Sequence, residues 1–504
     1  MRRLIAAVAL AAPALLAMPA AAGAVPAVSA VPPAAGAVPA LNAVPAVARA
    51  GAGPGAPDVP ADLRAEEVSF RGGGLTLHGT VLSPAAAGVP RPGIVLVHGA
   101  GGGTPRTALM TEAVAFARQG MSVLVYDKRS AGYSLFERSY SLLADDALGA
   151  VAALRARPGV DPGKVGLWGL SEGGWVAPLA ASRAPRDVAF VVLVGANGHT
   201  PLRQQTWAVA AGLRRAGVSG SLVDRAEPAM YRMIADAGLF PEPYHDAEGV
   251  LAAVRAPVLG IWGVHDLLTP PAESPPLMAA ALERGGNHRH TFRYFAGADH
   301  AAHLTPDGGV TRLPELAPGY PELVGSWVRD VTSGRTPATG TSGPAPVQAV
   351  RTVPVEPSAG WESAPVQFAA LGVCLAGFGG YGLVAAVRRV RRAGPASGRV
   401  SRAAGLLAAA GPVVMLGFFG YMVHVQRASA KLADPGPLLA GRPLPWLALQ
   451  ILAVVAVAAG VRVAVAWGRN RALVRGAERA RTALLLAAGA VFLAWAVYWG
   501  LLLP

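Results

Sequence analysis

Four apolar stretches crowd the last third of the chain, at residues 366–387, 403–425, 445–461 and 482–503, and each comes close to the roughly 20 residues that a helix needs to cross a bilayer. Backbone polar groups placed in lipid must be satisfied within the segment, so stretches of this kind fold as membrane helices. They also account for the composition. Of 504 residues, 53% are hydrophobic and 15% charged, too apolar for one soluble domain, but the excess is local.

The connections between the stretches carry unequal charge. Arg388, Arg389, Arg391, Arg392, Arg399 and Arg402 separate the first two, and Arg462, Arg469, Arg471, Arg475, Arg479 and Arg481 separate the last two. The middle connection holds only Arg427, Lys431 and Arg442. The positive-inside rule puts the two arginine-rich loops in the cytoplasm and the segment before the first span outside. The formal charge of +14 therefore speaks of topology. Its arginines cluster beside spans and not on an aromatic-laced patch, so the expected partner is the lipid bilayer and not nucleic acid. Trp446, Trp467, Trp495 and Trp499 fall near span ends, where interfacial aromatics are expected. No Asp, Glu or Lys falls in mid-span, which argues against an ion pathway.

Residues 1–24 pair two arginines with an apolar run and small residues at its end, the pattern of a secretory signal. An uncleaved anchor is the competing reading, and either one exports the domain that comes after it. Residues 25–61 are an Ala/Pro/Val-rich spacer. Residues 336–365 form a Pro/Thr/Gly tether, expected as a coil reaching roughly 30 Å that lets the preceding domain range over the membrane surface. Cys374 is the single cysteine, so no intrachain disulfide forms.

Residues 62–335 alternate apolar strand-like runs with helical stretches, which predicts an α/β domain with a mostly parallel sheet covered on both faces. An insertion at about 198–253 predicts a short helical cap. Its Trp207, Met230, Tyr231, Met233 and Leu239 either line an acyl or alcohol pocket or pack the cap itself.

Within this domain "KVGLWGLSEGGW" runs from an apolar strand into a helix and places Ser171 in a G-x-S-x-G turn. Such a turn lifts the hydroxyl clear of the backbone, and the helix after it aims N–H groups at charge developing on a substrate oxygen. Two later strand ends supply partners: Asp266 in "GIWGVHDLLTP" and His300 in "GADHAAH". The order Ser, Asp, His is the one this turn requires, with His300 as general base and Asp266 steadying its ring. The oxyanion donors are expected at the N–H groups of Glu172 and Ala100, the latter in the bare loop "HGAGGG". That loop lacks the Lys-Ser/Thr ending of a phosphate loop.

Other residues read more plainly. Asp299 adjoins His300 and is poorly placed to support it, and His303 comes three positions after the base. His98 packs beneath the oxyanion loop. His288 and His290 lack a third ligand and read as exposed strand residues, and Asp145 and Asp146 as helix-surface acids. Lys128 and Arg129 line the mouth of the site or pair on the surface.

Taken together, "VLVHGAGG", "VLVYDKRSAGYS", "KVGLWGLSEGGW", "GIWGVHDLLTP" and "GADHAAH" make residues 62–335 resemble an α/β-hydrolase of the dienelactone hydrolase and prolyl-oligopeptidase-like esterase group. Ser130 stands where such proteins commonly have glycine. The resemblance implies a cofactor-free, metal-free serine hydrolase acting on a small-molecule ester or acyl substrate, with Ser171, Asp266 and His300 in the catalytic positions and Ala100 at the oxyanion position. Thioesterase and peptidase activity are alternatives within the fold. A membrane sensor with a ligand-binding, non-catalytic domain is the alternative outside it. Oligomeric state stays open, and the last 140 or so residues lie outside the resemblance.

Overall fold

A computed structural model of the chain describes residues 59–86, 88–391, 398–430, 435–469 and 476–504. The expected signal segment and most of the spacer lie outside the described residues.

The globular part is built on a nine-stranded sheet: β1 (Leu63–Gly72), β2 (Leu75–Pro84), β3 (Arg91–Val97), β4 (Ser122–Tyr126), β5 (Val160–Leu170), β6 (Val191–Val194), β7 (Val258–Gly263), β8 (His290–Phe295) and β9 (Gly340–Ser342). The spatial order is β1-β2-β4-β3-β5-β6-β7-β8-β9, antiparallel at β1–β2 and β2–β4 and parallel elsewhere. The central strands are runs of Val, Leu, Ile and aromatic residues buried on both faces, as a covered parallel sheet requires. Alternate residues serve opposite cores. Val95, Leu124 and Val191 pack with α2 (Tyr140–Arg155) and α3 (Gly173–Arg183) on one face. Ile94, Val123 and Val192 pack with α1 (Met110–Arg118) and α8 (Tyr320–Thr332) on the other. Parallel pairing from β4 through β8 leaves their carboxyl ends on one edge, where open α/β sheets bind ligands.

The insertion forms α4 (Pro201–Arg215), a π-helical turn (Leu222–Ala226), α5 (Glu227–Asp236) and α6 (Ala247–Ala253), and α7 (Ser274–Arg284) comes after β7. Beyond the sheet lie four helices, α9 (Ala364–Val390), α10 (Gly398–Ala430), α11 (Leu444–Arg469) and α12 (Gly476–Tyr498), each long and apolar enough to cross a membrane. Their length and apolar composition are those of a multi-pass membrane protein.

The two parts are joined, contrary to the expectation of a free coil. Met230, Tyr231 and Met233 of the cap share one core with Phe418, Trp446 and Trp499 of the membrane helices. Polar contacts seal the joint: the Ser221 N–H donates to the Pro504 carbonyl at 3.1 Å and the Ser219 N–H to the Gly441 carbonyl at 2.8 Å. Arg225 Nε donates to the Tyr498 carbonyl at 2.8 Å, and Gln450 Nε2 to the Ser221 hydroxyl at 3.2 Å. Trp446, Trp495 and Trp499, expected at the bilayer interface, are instead buried, because the helices bring all three against Phe418.

The tether is likewise bound along the domain. Residues 340–342 add a strand beside β8, the Val347 N–H donates to the Val264 carbonyl, and Trp207 Nε1 donates to the Val350 carbonyl at 2.7 Å. Glu273 accepts from the Thr352 N–H at 2.9 Å and the Thr352 hydroxyl at 2.6 Å. Backbone donors in such a strap are satisfied by the domain surface as well as by water, which fixes its path.

Candidate active site

β5 ends at Leu170 and α3 begins at Gly173, so Ser171 occupies a two-residue corner. Its φ is +55°, a left-handed conformation rare for a residue with a β-carbon and a mark of stored strain. The corner is held by the Ser171 N–H bonding the Val194 carbonyl at 2.9 Å and the Gly174 N–H bonding the Ser171 carbonyl at 2.8 Å. Gly173 is required by close approach, since a β-carbon there would lie 2.6 Å from the Val97 carbonyl oxygen of β3. The Ser171 hydroxyl makes no hydrogen bond among the described residues.

Asp266 lies just past β7 and His300 just past β8. His300 Nδ1 lies 2.9 Å from both carboxylate oxygens of Asp266, so its N–H donates to the carboxylate. The rest of that carboxylate is saturated: it accepts from the Leu268 and Thr269 N–H groups at 2.9 Å each and from the Thr269 hydroxyl at 2.6 Å. With Nδ1 occupied, His300 Nε2 is left buried and, among the described residues, without a partner. As the second ring nitrogen of a neutral imidazole it can accept a proton from a group brought within reach.

Gly195, at the end of β6, places the imidazole. Its φ is +54°, and a β-carbon on it would lie 2.7 Å from His300 Nδ1. The preceding residue, Val194, holds the Ser171 N–H, so serine and histidine converge on one turn. Strand and motif patterns do not single out Gly195, although a glycine ending "VVLVG" at the reactive edge is a usable signal. Gly195→Ala is expected to displace His300 and to lower kcat/KM of any hydrolysis that depends on His300 about a hundredfold or more. Steady-state kinetics checks this, with a thermal melt to separate unfolding from misplacement.

The N–H groups of Ala100 and Glu172 have no acceptor among the described residues. Glu172's side chain, by contrast, is buried and engaged. Lys128 Nζ lies 2.5 Å from one carboxylate oxygen, Arg138 2.7 Å from the other, and the Tyr133 hydroxyl donates at 2.9 Å. Burial opposes its ionisation, but Lys128 and Arg138 outweigh that and hold the carboxyl below its ordinary value.

Several expected surface residues prove internal. Arg129 and Asp146 form a buried two-pronged pair at 2.6 Å, and Arg129 also bonds the Gly73 carbonyl, tying the β1–β2 hairpin to α2. Asp146 is therefore no surface acid, and Arg129 does not line the mouth. Lys128 is buried against Glu172. His290 is buried and within 3.2 Å of Glu283, while His288 alone of that pair is exposed. Period-two alternation places both outward, but β9 and α7 cover this end of the sheet. Asp299 accepts from the Ala301 and His303 N–H groups and from Arg312, shaping the turn that carries His300 without bonding its ring. His303 faces Glu112 at 3.0 Å. Of the suggested pocket residues, Met230, Tyr231 and Met233 pack into the joint with the membrane helices.

His98 directly precedes the glycine-rich loop at 99–103, and its Nε2 donates to the Tyr126 carbonyl at 2.6 Å. Burial pushes its pKa down to about 4. A folded value below the unfolded one favours the fold when the ring is neutral, so this contribution is complete above about pH 6.5 and is lost as pH falls toward 4. The shift corresponds to about 3 kcal/mol. His98→Gln, which keeps a donor for Tyr126, is expected to flatten the fall of the melting temperature between about pH 6.5 and 4.5. Thermal melts of the detergent-solubilised chain across that range measure it.

The sheet order and the strand-end residues on this edge are those of the α/β-hydrolase fold. Residues 88–230 match the model of the serine aminopeptidase S33 family. The chain is 36% identical over 141 residues to a polyketide transferase of Penicillium crustosum, covering 26% of this chain and 44% of that one. It is 36% identical over 135 residues to a thiohydrolase of Arthrinium phaeospermum, covering 26% and 42%. The chain thus spans less than half the length of the curated relatives it matches. Among solved structures it is similar to an esterase of Pyrobaculum calidifontis, at 22% identity and a TM-score of 0.37 over 54% of this chain and 87% of that one. It is also similar to a dienelactone hydrolase of Anabaena variabilis, at 20% identity and a TM-score of 0.33 over 55% and 100%.

Proposed function

We propose that the chain is an exported, membrane-held serine hydrolase that cleaves carboxylic esters through an acyl-enzyme. The observation that carries this reading is the His300–Asp266 pair with Nε2 unpartnered, set by Gly195 beside the strained corner at Ser171. His300 Nε2 takes the Ser171 proton as Oγ attacks the acyl carbon, and the Ala100 and Glu172 N–H groups receive the oxygen that becomes negative. His300 then returns the proton to the departing alkoxide, which leaves as the alcohol. Water, deprotonated by the same nitrogen, attacks the acyl-serine and releases the acid. The arginine-rich loops and the leading signal support a hydrolase domain on the extracytoplasmic side.

A thioester substrate is the second reading, favoured by the thiohydrolases among the relatives. The same steps serve it, with a thiolate as leaving group. The full chain in lipid nanodiscs, given p-nitrophenyl esters, acyl thioesters and aminoacyl amides, separates the cases. Turnover of esters above thioesters supports the first reading, and the reverse order the second. Turnover of amides alone overturns both in favour of a peptidase.

A further inference from the structure

A trans peptide group carries its carbonyl and its N–H on opposite sides. Lys128 Nζ donates to the Gly99 carbonyl at 2.6 Å, and the N–H of that same peptide unit is the one on Ala100. The ammonium thus grips the oxyanion donor from behind. Its second bond, to Glu172 Oε1, holds the residue whose backbone supplies the other donor. Tyr133 braces the assembly: its hydroxyl accepts the Gly101 N–H at 3.0 Å, donates to Glu172, and lies under Lys128, whose Nζ sits 4.3 Å from the ring centre.

The charge count adds to the geometry. The side chains of Lys128, Arg138 and Glu172 are 4%, 6% and 1% exposed, so two cations and one anion leave a net positive charge sealed behind the loop. At such depth the attraction to a nearby oxyanion is weakly screened, and hydrogen bonds in a chain polarise one another.

We propose that Lys128 is a positioning residue for the oxyanion hole: by holding the Gly99 carbonyl and the Glu172 carboxylate together it orients and polarises the Ala100 and Glu172 N–H donors. The proposal rests on the serine-hydrolase reading. Lys128→Met preserves side-chain length and leaves Glu172 paired with Arg138 and Tyr133. In the full chain in nanodiscs it is expected to lower kcat for p-nitrophenyl butyrate about a hundredfold with KM changed less than about threefold. Inhibition by an alkyl trifluoromethyl ketone, whose serine adduct carries an oxyanion, is expected to weaken by a similar factor. Tyr133→Phe is expected to show the same pattern at about tenfold.

A wild-type kcat in Lys128→Met overturns the proposal, as does a lower kcat with unchanged ketone inhibition, which is the mark of a structural role. If Lys128→Met does not fold, Tyr133→Phe decides by the same two readings. Absence of turnover and of fluorophosphonate labelling in the wild-type chain would instead be a failure of the hydrolase reading.

Discussion

Ser171→Ala is expected to lower kcat for a short acyl ester by roughly 10^4- to 10^6-fold and to abolish covalent labelling by a fluorophosphonate. The methyl group fits the same corner, so the fold and the His300–Asp266 pair should survive, and the melting temperature should stay within a few degrees. What vanishes is the hydroxyl held at that corner by the strained turn. Residual turnover would come from water attack assisted by the oxyanion donors alone. A variant that still hydrolyses at the wild-type rate, or still takes the label, moves the nucleophile elsewhere and removes the basis of the proposed function.

Cutting the chain after residue 335 is expected to unseat the cap. The strap and all four helices are lost, and with them the partners of Leu213, Leu222, Val223, Met230, Tyr231 and Met233, all buried in the shared core. Each large apolar side chain returned to water forfeits about 1.5–3 kcal/mol, so six of them together match or exceed the roughly 5–15 kcal/mol that holds an ordinary domain together. The fragment should therefore aggregate or expose residues 201–236 to protease, and the proposed hydrolysis of a short acyl ester should fall well below that of the full chain. A monodisperse fragment with a protease-resistant cap and full activity would show that the joint contributes nothing to the folded hydrolase.

The chain made some of this legible and hid the rest for physical reasons. Ser171, Asp266 and His300, the residues of the proposed site, could be singled out because each sits within a few residues of an apolar strand run, so local pattern and chain order point to one sheet edge. Lys128 and Glu172 could not be paired by such means. They meet across the ends of β4 and β5, and nothing near either residue signals a buried charge. The same holds for Arg129 with Asp146, whose helix reads as surface until the β1–β2 hairpin is laid against it. The cap joint is the extreme case: Ser221 and Leu503 bond across 282 positions of sequence. Trp446 and Trp499 carry the composition of a lipid interface, and only tertiary packing turns them into core. The strap reads as a coil because its order comes from donors and acceptors on the domain surface and not from any period of its own.

One core containing both Met233 and Phe418 means that hydrolase and membrane bundle are not interchangeable parts. A chimera that borrows its helices from an unrelated protein would present the cap with a mismatched seat, whatever the quality of either donor. A change of side-chain volume on one side of this core calls for an answering change on the other.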